Sequence, residues 1–143
     1  MKTLSKFLFI PIVILIIFIF LRFLFNDTKN ISFKNLAEAS SYIENGWIPN
    51  NLPENSKNIY VTYNLDTNII NGEFELNNTT EIENFKNSLL EIQNFNINKL
   101  YFLNNNLKDK ISKILSKNLN NIFQYENFIF IFDNNKIYFF SNH

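Results

Sequence analysis

The first hydrophobic pattern in this chain is continuous: from Phe7 to Phe25 only Pro11 and Arg22 are not plainly apolar. Such a run is close to the roughly 20 residues that cross a hydrocarbon core of about 30 Å as a helix. It predicts an uncleaved N-terminal transmembrane helix. A secretory signal peptide shares the basic start at Lys2 and Lys6 but needs small residues before its cut, where this chain has Phe20, Leu21, Phe23, Leu24 and Phe25. The expected organisation is a cytoplasmic N-terminus over 1–6, a signal anchor over 7–25, a short linker over 26–31 and an extracytoplasmic head domain over 32–143. Arg22 can snorkel outward from the last turn, and the short basic flank favours N-terminus-inside insertion.

Beyond Asn26 the pattern turns amphipathic. Ser32 reads as an N-cap, with Phe33, Leu36, Ser40 and Ile43 on one helical face and Asn45-Gly46 as the stop. Trp47 then falls where a hydrophobic residue packs back on the last turn, against Tyr42. Ile48-Pro49 and Leu52-Pro53 are extended, because a residue before proline is pushed out of the helical region. Ile59, Val61, Tyr63 and Leu65 alternate with polar positions, and after Asp66-Thr67-Asn68 the alternation resumes at Ile70, Phe74 and Leu76, which predicts an antiparallel hairpin. Gly72 inside its second strand predicts a bulge or an aromatic ring lying over it. Thr80 and Glu83 form a capping box for a second helix, carried to about Gln93 by Ile82, Phe85, Leu89 and Ile92. Leu100 to Leu103 read as a short strand.

A third helix is expected from Leu107 to Leu119, with Lys110, Lys113 and Lys117 opposite its apolar stripe. The end reads as strand at Ile122 to Tyr125, then as a hairpin of Phe128 to Phe132 and Lys136 to Phe140 around Asp133-Asn134-Asn135. Both faces of Phe128–Phe132 are apolar, which places it inside the sheet and covered on both sides. The class is α+β: one N-terminal transmembrane helix followed by a small antiparallel sheet of two hairpins packed with about three helices.

Composition narrows the chemistry. The 143 residues include no Cys and one His, the terminal His143, so disulfides, cysteine zinc sites, thiol nucleophiles and histidine-based triads are excluded. Two glycines leave no phosphate loop. The net charge is zero, but Lys2, Lys6 and Arg22 hold part of the positive charge, leaving ten basic against thirteen acidic residues after Asn26. A slightly acidic body argues against nucleic acid. The remaining candidates are carboxylates. Glu73 and Glu75 share a strand face, which is usually a solvated face and alternatively a glycosidase-like or metal pair; Asp66 at the bend is first a turn residue. No cofactor and no metal is expected.

One stretch resembles a known family. Gly46-Trp47-Ile48-Pro49, then Leu52-Pro53 and Leu65-Asp66-Thr67-Asn68, are similar to the Gly-Trp-x-Pro, Leu-Pro, Leu-Asp-Thr-Asn pattern of small bacterial membrane-anchored or lipid-anchored proteins with a YbbD-type head domain. The Phe132–Phe139 hairpin resembles that family's ending. The resemblance implies an extracytoplasmic α+β domain without established enzymatic activity, some members lying near polymorphic-toxin loci as candidate immunity proteins. The departure here is the absence of a lipidated Cys. Gly46, Trp47, Pro49, Leu52, Pro53, Leu65, Asp66, Thr67 and Asn68 are therefore the candidate structural and interaction motif, with the Trp47–Pro53 loop facing the hairpin bend as the expected surface. The function expected is a membrane-tethered, non-catalytic binding domain with a protein partner, including an immunity-type role against a toxin. The alternatives are a carboxylate-dependent cell-wall hydrolase and an accessory subunit of a membrane complex.

Overall fold

The computed structural model describes residues 11–18, 20–21, 27–117 and 121–142. Lys2, Lys6, Arg22, Leu119 and His143, named above, lie outside the described residues, as do 1–6 and parts of 7–25. Residues 11–18 and 20–21 are helical, with side chains such as Ile14, Leu15 and Phe18 exposed.

Two features of the expected fold are corrected. Among the described residues no helix is long and apolar enough to cross a membrane, so the expected transmembrane helix over 7–25 is not what the described part of that segment forms. The two hairpins also do not make a small sheet of their own. They merge into one seven-stranded antiparallel sheet in the order β1-β2-β3-β7-β6-β5-β4. Its strands are β1 (Thr28–Asn35), β2 (Lys57–Asn64), β3 (Ile70–Glu75), β4 (Leu90–Glu91), β5 (Ile122–Tyr125), β6 (Phe128–Asp133) and β7 (Lys136–Ser141). The join is β3 to β7, from Asn71 opposite Phe140 to Glu75 opposite Lys136.

The expected linker over 26–31 and the helix from Ser32 give way to β1, which pairs with β2 from Thr28 opposite Asn64 to Asn35 opposite Lys57. Ile31 and Phe33 fit a period of two as well as Phe33, Leu36 and Ile43 fit a helix, and pairing with a complete neighbouring strand decides between them. In this stretch helix begins only after β1, as a 3-10 turn at Ala37–Ala39 and then α1 (Ser40–Glu44).

Helix α2 (Thr79–Asn87) is capped by Asn78, whose side chain accepts from the Thr80 amide, in place of the expected Thr80 capping box. It ends well before Gln93, where Leu90–Glu91 instead pairs with β5. No strand forms at Leu100–Leu103; a 3-10 turn at Ile97–Lys99 precedes it. Helix α3 spans Asn105–Lys117.

The two faces of β6 show how the layers form. Phe130 and Phe132 join Phe74, Ile137 and Phe139 under Phe85 of α2, with Phe85 edge-on to Phe130 at 5.3 Å. Ile129 and Ile131, on the opposite face, pack with Tyr138 and Phe140 against Ile111 and Leu115 of α3. Strand β6 is thus interior and covered on both sides, as its apolar run requires. Gly72 has an aromatic ring over it: a Cβ there would overlap the ring of Phe139.

Candidate functional site

The motif residues divide into a buried scaffold and an exposed bend. Gly46 takes a left-handed backbone, φ +76°. Its amide donates to the Ile43 carbonyl and the Trp47 amide to the Tyr42 carbonyl, both at 2.9 Å, a double closure that satisfies the last carbonyls of α1. Trp47 lies on Tyr63 of β2, ring centroids 4.4 Å apart, and Tyr42 reaches Tyr63 edge-on at 6.1 Å. The ring partner of Trp47 is therefore Tyr63, across the sheet, rather than the Tyr42 expected from spacing. Ile48, Pro49 and Leu52 are buried over Ile59 and Val61, and the Pro53 carbonyl accepts from Ser56. The Trp47–Pro53 loop is a lid on one sheet face.

The bend behaves differently. Leu65 is 47% exposed, and Asp66, Thr67 and Asn68 are exposed with it. Asn64 organises the turn: its Oδ1 accepts from the amides of Asp66 and Thr67 and from the Thr67 hydroxyl, at 3.1, 2.9 and 2.9 Å. Asn68 closes it at φ +54°, a backbone region that asparagine tolerates. The Leu65 amide donates to the Asp27 carbonyl at 3.0 Å. A hydrogen bond with Asp27 and the like charge beside it raise the Asp66 carboxyl above its ordinary value. Sequence and structure agree on Asp66–Asn68 as turn chemistry.

Glu73 and Glu75 do share a face, but Lys136 lies between them, its Nζ 2.7 Å from Glu73 Oε1 and 3.5 Å from Glu75 Oε1. Lys136 is held above its ordinary pKa chiefly by the bond to Glu73. Glu75 is held below its ordinary value, first by the Asn58 amide, which donates to Oε2 at 2.8 Å, and then by Lys136. A lowered carboxylate contributes stability that is present above its unfolded pKa and lost as pH falls through the folded value. Asn58 itself sits at φ +50°. Asn58→Gly keeps that backbone and removes only the amide, so the Glu75 titration followed by NMR should move up toward the ordinary carboxylate range. An unchanged midpoint would mean Lys136 alone sets it.

These elements, β1 through β3 with the buried loop between them, coincide with a recognisable unit. Residues 27–75 match the family model of the YbbD head domain. The YbbD head match covers about a third of the chain, ending with β3 and containing all nine motif residues. Helices α2 and α3 and strands β4 to β7 lie beyond it, including the late hairpin that resembled the family's ending. No curated protein and no solved structure matches the chain. Among the described residues no group of His, Asp and Glu is placed to hold a metal.

A cleft without a sequence signal opens on the other sheet face. It lies where α3 meets β2 and β3, holds about 180 Å³, and its walls include Tyr60, Thr62, Glu73 and Asn104. Its two sides come from β2–β3 and from the start of α3, which are adjacent only in the folded sheet. None of the nine motif residues lines it.

Proposed function

We propose that this chain is a non-catalytic binding domain whose protein partner seats on the β2–β3 bend. The supporting observation is a bend that is both exposed and held: Leu65 offers an apolar contact at its edge while Asn64 fixes the turn with three hydrogen bonds. Binding groups concentrate on loops that a rigid scaffold presents, and the Trp47–Tyr63 stack beneath the bend is such a scaffold. The carboxylates favour the same reading, since Glu73 and Glu75 are engaged by Lys136 and Asp66 by Asp27. Neutralisation of a toxin protein is the specific form we favour, on the family resemblance.

The test places a photo-crosslinking residue at Leu65 of the full chain in the native cell, with a second chain carrying it at Lys108 on α3 as control. The expected result is an adduct to one protein from position 65 and not from 108. Equal labelling from both positions, or cell-wall glycan cleavage that disappears in a Glu73→Gln, Glu75→Gln chain, would overturn the proposal.

A further inference from the structure

The sheet face under α3 is divided by chemistry. In one register row Tyr60 lies opposite Glu73, and Glu73 opposite Tyr138; in the next, Thr62 lies opposite Asn71, and Asn71 opposite Phe140. Both rows are polar on β2 and β3 and apolar from β7 onward, where Ile111 and Leu115 of α3 cover Tyr138 and Phe140. The cleft of about 180 Å³ sits at this step.

Its walls are built. Asn71, 3% exposed, donates to the Tyr101 carbonyl at 2.9 Å and accepts from the Leu103 amide at 2.7 Å, fastening the segment before α3 onto β3. Asn104 caps α3, its Oδ1 accepting from the Asn106 amide at 2.8 Å, which leaves the side-chain NH2 as a donor. The Tyr60 ring is 42% exposed, and its hydroxyl donates to Asn30 Oδ1 at 3.0 Å, which holds the ring across β1 and β2. Thr62 donates to the same oxygen at 2.7 Å.

We infer that this cleft binds one ring of a neutral, hydroxyl-rich ligand, a sugar residue, with the Tyr60 ring and Leu107 meeting its apolar face and Thr62, Glu73 and Asn104 meeting its hydroxyls. The charge balance selects neutrality. No Lys or Arg lines the cleft, so an anion meets no cation there, and the one carboxylate, Glu73, is already paired with Lys136. The size selects a single ring, since pockets for drug-sized ligands run from about 300 to 1,000 Å³. A surface with an open aromatic face beside hydrogen-bonding groups of both kinds fits a molecule that carries C–H on one side and O–H at its rim. The site shares no residue with the β2–β3 bend, so it stands or falls separately from the protein-partner proposal.

The test is saturation-transfer NMR and calorimetry on the full chain with chitotetraose and maltotetraose, tetraglutamate and tetralysine serving as charged controls. Saturable binding of at least one sugar is expected, with neither peptide competing. Tyr60→Ala should weaken it about tenfold, the upper end of what an aromatic face contributes, whereas Tyr60→Phe should retain it within about threefold. Asn104→Asp keeps a helix cap but replaces the donor with a charge, and should weaken binding without lowering the unfolding midpoint. Absence of binding by both sugars, equal binding by Tyr60→Ala, or preference for either peptide would overturn the inference.

Discussion

Gly72→Ala should destabilise the fold by about 3 kcal/mol, the upper part of the range for overpacked cores. Gly72 lies in ordinary strand backbone, since Gly46 is the glycine with positive φ. Backbone entropy alone would therefore make alanine mildly stabilising. The obstacle is the Phe139 ring, which occupies the place of the missing Cβ. That ring is fully buried, with Phe128, Phe74 and Phe130 at centroid distances of 6.0, 6.4 and 6.4 Å, so it has no open space into which to withdraw. Urea unfolding measures the effect, and the double variant Gly72→Ala, Phe139→Leu should recover at least half of the loss by removing the obstructing ring. A single variant as stable as the parent would mean that the β3–β7 contact is looser than described.

The second large effect concerns Asn71. Replacing it with Ala removes the side chain that donates to the Tyr101 carbonyl and accepts from the Leu103 amide, two part-buried hydrogen bonds worth about 1 kcal/mol each. Water reaches the freed groups of this partly exposed segment, so a net loss of about 2 kcal/mol is expected. The change should also be local. Native-state hydrogen exchange should quicken at residues 100–104, while Phe130 and Phe139 in the middle of the sheet exchange only as fast as the lower global stability requires. Asn71→Ala with unchanged exchange at Leu103 would show that α3 is fastened by its apolar stripe alone.

Local signals in the sequence were reliable where the structure is local. The β2–β3 hairpin follows from alternation around Asp66–Asn68, the β6–β7 hairpin from two apolar runs around Asp133–Asn135, the ring over Gly72 from a glycine in mid-strand, and the end of α1 from Asn45-Gly46. What was not legible is non-local. Nothing in Ile70–Glu75 or Lys136–Ser141 announces that they pair with each other across more than sixty residues, so the strands that join the two hairpins were not legible. β1 was misread because Ile31 and Phe33 satisfy both periods, and only β2 resolves them. Leu89 and Ile92 continue the apolar stripe of α2, yet the Ile92 amide is drawn to the Ile122 carbonyl instead. At the motif, the sequence marked the residues but not their division into a lid at Trp47–Pro53, buried at Ile48, Pro49 and Leu52, and an exposed bend at Leu65–Asn68. The Tyr60 cleft left no signal because its walls, β2–β3 and the start of α3, meet only in the folded chain.

The division of the motif into scaffold and contact surface is tested most directly by the affinity of the partner captured at position 65, measured by calorimetry on purified protein. Leu65→Asp alters an exposed side chain, so the unfolding midpoint should stay within experimental error while binding weakens at least about tenfold, equivalent to about 1.4 kcal/mol. Unchanged affinity in a folded Leu65→Asp chain would contradict a partner seated on the bend.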